Sequence, residues 1–285
     1  IDVTHPRYVS LPKSGMTVAP ASLFAATVGV ARRNLRKSPF DLIDAHYFYP
    51  DGVAAALIGR AVGKPVVITA RGTDISLIPR HPIARRMIVA AARRAAGIIA
   101  VSRAIGDGII ALGIEPDRIT VLRTGVDLDV FRPADRDVAR SALGITGATL
   151  LSVGHLIERK GHDVAIAALP RLKDFVLLIV GEGPERAQLE KLASELGVKE
   201  RVQFLGVIRH EDLGRVYNAA DALILASSRE GWPNVLLESM ACGTPVVASA
   251  IWGNPEVVSK PEAGVLIQSR TPQGVADAVE LLFRQ

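Results

Sequence analysis

The sequence predicts an α/β protein made of two doubly wound parallel-sheet domains. Three features of its 285 residues point there. Short, continuously apolar runs alternate with helical patterns almost throughout, as in strands covered on both faces by helices. The alternation restarts after Gly147, so the pattern occurs twice. The two halves also differ in charge: residues 1–145 hold 20 Lys and Arg against 12 Asp and Glu, a net of +8, while residues 146–285 hold 14 against 17, a net of −3.

In chain order, the first half predicts strands at Phe40–Ala45, Pro65–Ala70, Gly97–Val101 and Arg118–Leu122. Each is a short apolar run, and the patterns between them fit helices at Asp51–Val62, Pro82–Ala96 and Ser102–Leu112. The segment Thr124–Gly147 holds Gly125-Val126-Asp127, Phe131-Arg132-Pro133 and a mixed-charge run without a strand pattern, and it is expected to carry the boundary between domains 1–145 and 146–285. The second half predicts strands at Ala148–Val153, Phe175–Val180, Val202–Leu205, Ala222–Leu225, Pro245–Ala248 and Gly264–Ile267. Helices are expected at Lys160–Leu169, Pro184–Leu196, Glu211–Ala219 and Pro233–Cys242.

Composition narrows the function classes. Apolar residues make up 49% and charged residues 22%, which excludes a disordered or fibrous chain. The lone cysteine, Cys242, has no partner for an internal disulfide, sits on an apolar helix end and reads as core; a reducing, cytoplasmic setting is expected. The most apolar stretch, Met87–Val101, is interrupted by Arg93 and Arg94 and falls short of the roughly 20 residues a membrane span needs. The chain begins at Ile1 and ends inside a helical pattern, so it reads as a piece of a longer chain, with a first strand and final helices expected outside it. The histidines lack metal-ligand spacing, and neither a Ser-His-Asp frame nor a nucleic-acid motif is legible. Gly181-x-Gly183 follows a strand but lacks the third glycine of a dinucleotide fingerprint.

Ligands of doubly wound sheets bind outside the carboxyl ends of the strands, and with two such domains the expected site is the cleft between them. The strongest constellation there is residues 225–248. A strand ends near Ala226, a loop carries Glu230 and Gly231, Pro233 suits a first helical turn, and the helix stops near Gly243 before Pro245 opens the next strand. A helix start delivered to a strand's carboxyl end offers free N–H groups to a phosphate. Glu230 and Glu238 do not suit a phosphate, but a carboxylate accepts two O–H donors from a vicinal diol. Phosphate flanked by two diol-binding carboxylates describes a nucleotide sugar.

This segment resembles the donor-binding signature of the retaining glycosyltransferases of family 4 (glycosyl transferases group 1), which have the GT-B fold. Val153-Gly154-His155 with Arg159-Lys160-Gly161, then Val180-Gly181-Glu182-Gly183-Pro184, Leu205-Gly206, Ala219-Ala220-Asp221 and Gly125-Val126-Asp127 resemble other family loops, in family order, along nearly the whole chain.

The resemblance implies a role for each matching residue. Lys160 matches a lysine that binds the donor diphosphate. His155, beside Gly154, stands where the family usually has an arginine for the same phosphates, and Arg159 is expected to supply the missing charge. Glu238 matches the ribose-binding glutamate, and Glu230 the one that contacts the donor sugar at the reacting centre. The backbone from Gly231 through Asn234, Val235 and Leu236 is expected to hold phosphate and sugar oxygens, and Val207 and Ile208 to flank the base. His46 matches a histidine of the acceptor side. Arg71 takes the place of a histidine in a His-Gly-x-Asp pattern completed by Asp74, which puts a permanent cation where the family has a titratable group.

The function so implied is transfer of a hexose from a UDP- or GDP-type sugar to a hydroxyl of a glycan or lipid-linked acceptor, with retention, without cofactor or metal, in cell-surface polysaccharide or glycolipid synthesis. Arg85, Arg86, Arg93 and Arg94 share one helix face, which is either a solvated surface or a contact with the anionic inner face of the plasma membrane. A GT-B nucleotide-sugar 2-epimerase and a non-catalytic sugar-binding protein are the competing readings. Plainer roles also stand beside the residues: a strand-end histidine packed by aromatics for His46, a helix-start lysine for Lys160, a turn residue for His155.

Overall fold

The computed structural model describes residues 3–9 and 15–284. They divide into two compact units that meet in the chain between Arg123 and Thr124.

The first unit runs α1 (Ala19–Lys37), β1 (Ile43–His46), α2 (Val53–Val62), β2 (Val66–Ala70), a single turn α3 (Thr73–Ser76), α4 (Pro82–Arg94), β3 (Gly97–Ala100), α5 (Arg103–Ile110) and β4 (Ile119–Val121). Its four strands are parallel and ordered β1-β2-β3-β4, without a reversal among the described strands. Ile68 and Ile98 on the strands are buried, as are Ile88 on α4 and Ile105 and Ile109 on α5. Local chemistry sets the ends: Gly63 closes α2 in the left-handed conformation, and the Ser102 hydroxyl caps α5 by accepting from the Ile105 N–H at 3.2 Å.

The second unit runs α6 (Arg136–Ala142), β5 (Ala148–Val153), α7 (His162–Ala168), β6 (Phe175–Val180), α8 (Arg186–Glu195), β7 (Val202–Gly206), α9 (Leu213–Ala219), β8 (Ala222–Leu225), α10 (Asn234–Ala241), β9 (Val246–Ser249), α11 (Asn254–Val257), β10 (Gly264–Ile267) and α12 (Pro272–Leu282). The parallel order is β10-β9-β8-β5-β6-β7. Alternate residues feed two cores on opposite faces: Leu150, Leu177, Ile179, Ile224 and Val247 on one, Leu151, Leu178, Val180, Leu223, Leu225 and Val246 on the other. Strands with no polar face are what make these runs read as continuously apolar. Winding reverses between β5 and β8, so the fold opens a crevice at their carboxyl ends.

The structure differs from the sequence expectations in three places. Residues 124–145, expected with the first domain, pack in the second unit. Phe131 is 1% exposed and meets Tyr217 edge-on at 5.9 Å between ring centres, and the Ala134 N–H donates to Asn218 at 2.7 Å. The helix expected from Lys160 starts at His162, because Gly161 takes the left-handed conformation. Helix α1, absent from the sequence expectations, packs against α2 through a half-buried face that includes Leu23, Phe24, Thr27, Val28 and Ala31; of its 19 residues only Ala19 and Pro20 are fully buried. Among the described residues, no helix is long and apolar enough to cross a membrane.

Candidate functional site

Two loops at the β5/β8 reversal carry the predicted charges. The first leaves β5 through Gly154 and forms a short turn, Glu158–Lys160; the second leaves β8 through Ala226 and reaches α10. They approach so closely that a Cβ on Gly161, whose φ is +75°, would strike the Ala226 carbonyl. A Cβ on Gly181, with φ +135°, would likewise strike the Gly154 carbonyl. Glycine at these two positions lets backbone meet backbone.

The approach brings Lys160 and Glu230 together. Lys160 Nζ lies 2.8 Å from Glu230 Oε1, and Arg159 Nη1 lies 3.7 Å from the same oxygen. Ser227 Oγ donates to that oxygen at 2.8 Å, and Arg159 Nη1 donates to the Arg229 carbonyl at 2.9 Å. The Lys160 stem passes over Gly154. Arg270 buttresses both loops from the end of β10: Nε donates to the Ala226 carbonyl at 2.7 Å and Nη2 to the Glu158 carbonyl at 3.2 Å.

Glu238 sits one and a half turns into α10, 8% exposed, and accepts from the Tyr217 hydroxyl at 2.7 Å. Burial, with the Glu238 charge adding to it, pushes the Tyr217 hydroxyl well above its ordinary range, so it stays a donor. Pro233 precedes the helix rather than standing in its first turn. The Leu236 N–H is given to the Pro233 carbonyl at 3.0 Å, which withdraws it from the expected phosphate cradle. Asn234 and Val235 keep first-turn N–H groups that have no partner inside a helix. Gly231 is buried and Asn234 exposed. His155 is exposed on the β5 loop, Val207 is 75% exposed after β7, and Ile208 packs partly on the core. Cys242 is buried, as expected, and burial pushes its thiol up to about 11.

Beneath Lys160 lies His162, 2% exposed, with Nδ1 2.8 Å from Ser152 Oγ and Nε2 buried without a partner among the described residues. Burial first, then the nearby Lys160 charge, pushes its imidazole down to about 4, so the ring is neutral at physiological pH.

In the first unit, His46 ends β1 and Arg71 follows β2. Arg71 Nη2 and Nε lie 2.8 and 3.2 Å from His46 Nδ1, and His46 Nε2 lies 3.2 Å from Asp44 Oδ2. Asp74, expected on the acceptor side, is instead 0% exposed. It accepts the N–H groups of Phe48 at 2.8 Å and Gly72 at 2.7 Å, and that of Arg71 at 3.2 Å. Its carboxylate ties the two loops together and is not offered to a ligand. Among the described residues, no three of His, Cys, Asp and Glu come together in a way that would hold a metal ion.

Comparison with known proteins places this geometry. The family model of glycosyl transferases group 1 matches residues 135–285, and that of glycosyltransferase family 4 matches residues 4–130. The chain belongs to the group 1 glycosyl transferases. A D-inositol 3-phosphate glycosyltransferase of Mycobacteroides abscessus is 33% identical over 93% of the chain, and one of Frankia alni is 32% identical over 93%. The chain spans 64% of the length of the first relative and 72% of the second. Among solved structures, HepE of Anabaena in complex with UDP superposes with a TM-score of 0.81 at 24% identity, covering 91% of this chain and 72% of that one. Sucrose-phosphate synthase of Thermosynechococcus elongatus gives 0.81 at 23% identity, covering 97% and 72%. The fold is therefore GT-B.

In this group 1 glycosyl transferase, the structure brings Lys160, Arg159 and Glu230 into contact and sets Glu238 on the adjacent helix. The supporting residues Tyr217, Ser227, His162, Arg270 and Asp44 were not legible as site residues. The only signal for Ser152 and Ser227 is a hydroxyl inside or at the end of an apolar strand; for Arg270 and Tyr217 there is none.

Proposed function

We propose that the chain is a retaining hexosyltransferase that moves a hexose from a nucleotide diphosphate sugar to a hydroxyl of a glycan or lipid-linked acceptor. The observation that carries this reading is the Lys160–Glu230 contact, 2.8 Å long, at the winding reversal of the second sheet. It puts a cation for a diphosphate beside a carboxylate for sugar hydroxyls, where a doubly wound sheet receives its ligand. The UDP and the UDP-glucose held by HepE of Anabaena support a uridine diphosphate sugar as donor.

Each residue then has a task. Lys160, assisted by Arg159 and the His155 loop, receives the diphosphate, and the N–H groups of Gly231, Asn234 and Val235 donate to its oxygens. Glu238, oriented by Tyr217, takes the ribose hydroxyls with its other oxygen. Glu230 holds the donor hexose, and Val207 and Ile208 flank the base. In the transfer, the acceptor oxygen bonds to the anomeric carbon on the face from which the phosphate oxygen departs. The acceptor proton passes to the leaving diphosphate, whose growing charge Lys160 and the amides offset. Cationic side chains take the place of a metal, so chelator leaves the rate unchanged.

The reading extends to setting: a cytoplasmic protein in cell-surface polysaccharide synthesis, touching the anionic inner face of the plasma membrane through Arg85, Arg86, Arg93 and Arg94, all exposed on α4. Vesicles with and without anionic lipid test that contact by co-sedimentation.

The deciding experiment reads nucleotide release from UDP, GDP and ADP sugars by the parent chain, Glu230→Ala and Lys160→Ala. Loss of turnover in both variants is expected. Undiminished turnover in either, or a product epimerised without acceptor, overturns the reading.

A further inference from the structure

We infer that Arg71 is the binding group for a phosphate-type oxyanion carried by the acceptor, and that His46 is its positioning residue rather than a proton carrier. The inference rests on the transfer reading for the word acceptor alone; the anion site stands on the geometry of the first unit.

Arginine carries five N–H donors in a fixed plane. Two of Arg71's, on Nε and Nη2, point to His46 Nδ1 at 3.2 and 2.8 Å. A guanidinium never accepts, so Nδ1 must offer its lone pair and the ring proton must sit on Nε2. There it faces Asp44 Oδ2 at 3.2 Å. Both ring nitrogens are engaged. The contact uses one edge of the guanidinium and leaves the Nη1/Nη2 edge, a fork that fits two oxygens of a phosphate.

Both nearby carboxylates are committed elsewhere. Asp44 faces His46, and the Asp74 oxygens are occupied by the N–H groups of Phe48, Arg71 and Gly72. Among the described residues, no carboxylate forms an ion pair with Arg71, which is exposed. Tyr47, next to His46, is held at φ +83°, a conformation a bulky residue rarely takes. Such strain gathers at binding sites.

The oxyanion could come from the acceptor or from the donor's diphosphate, and the experiment separates them. Inorganic phosphate is titrated into the isotope-labelled chain while the Arg71 Nε–H signal, assigned by its loss in Arg71→Lys, is followed by NMR. A saturable shift is expected. Phosphate affinity should fall about tenfold or more in Arg71→Gln, recover in part in Arg71→Lys, and survive saturation with UDP. UDP affinity should be unchanged in Arg71→Gln. A shift that does not saturate overturns the site, and displacement of phosphate by UDP reassigns Arg71 to the donor and overturns the acceptor assignment. Failure of the transfer reading appears separately, as UDP binding that Lys160→Ala does not weaken.

Discussion

Lys160 Nζ and Glu230 Oε1 stand 2.8 Å apart, with their side chains only 16% and 9% exposed. Before donor arrives, each is the other's counter-charge. On the proposed function, a diphosphate would have to share the ammonium with Glu230 or draw it away, which would couple sugar binding to phosphate binding. Removing one partner strands a half-buried charge. Lys160→Met and Glu230→Gln are each expected to lower stability by about 1–2 kcal/mol, and the double variant by less than their sum. Urea unfolding of the four proteins checks this. Strict additivity would mean the contact is not formed in solution. Catalytically, loss of Lys160 is expected to lower turnover roughly 100- to 1,000-fold, the usual worth of one positioned donor.

Glu238 accepts the Tyr217 hydroxyl at 2.7 Å inside the core. Tyr217→Phe leaves a buried carboxylate oxygen short of a partner, at a cost of about 1–3 kcal/mol. Donor KM should rise more than kcat falls, since the proposed function puts Glu238 at the ribose and the reacting centre at Glu230. The pair also sets an alkaline limit. The folded state holds the Tyr217 proton well above the ordinary value of 10.0, at which an unfolded tyrosine ionises, so stability declines as pH rises past 10. Tyr217→Phe should flatten that decline.

His162 sets an acid limit. Its imidazole ionises near 6.5 in the unfolded chain and about 4 in the folded one. Between those values the unfolded state binds the extra proton, so stability is full above pH 6.5 and falls as pH drops toward 4, by up to roughly 3 kcal/mol. Urea midpoints across that window should fall in the parent chain. In His162→Gln, which keeps a polar side chain at the site, the slope should be shallower by about one proton.

Much of this was legible in the sequence, and the reasons are local. Strands buried on both faces announce themselves as apolar runs, and Glu230-Gly231 with Gly243-Thr244-Pro245 marks a loop, a helix and the next strand by turn chemistry alone. What was not legible depends on contacts distant in sequence. Asp74 matches a family position, yet only the fold shows that three backbone N–H groups consume its oxygens. Residues 124–145 read as a linker because Phe131 gives no periodic signal; its burial against Tyr217 is a tertiary fact. Helix α1 buries only Ala19 and Pro20 fully, and its face toward α2 stays half-buried, so its apolar signal is weak.

Arg270 shows how far support can lie from the group it serves. No acid pairs with it among the described residues; it acts through two carbonyls, Ala226 at 2.7 Å and Glu158 at 3.2 Å, which belong to the two loops carrying Glu230 and Lys160. A planar fork suits this bridge and an ammonium does not, since one Nζ cannot keep both carbonyls at the angles the guanidinium spans. Arg270→Ala is therefore expected to lower kcat about tenfold while leaving the fold intact, because the contacts lie in loops beyond the carboxyl ends of the strands, and Arg270→Lys should recover little of it. Added guanidinium ion should restore part of the lost rate in Arg270→Ala and none in Arg270→Lys, where the ammonium still occupies the gap. Equal activity of the parent and Arg270→Ala would show that the two loops hold their spacing without the bridge, leaving Ser227, through its bond to Glu230, as the group that fixes the Lys160–Glu230 distance.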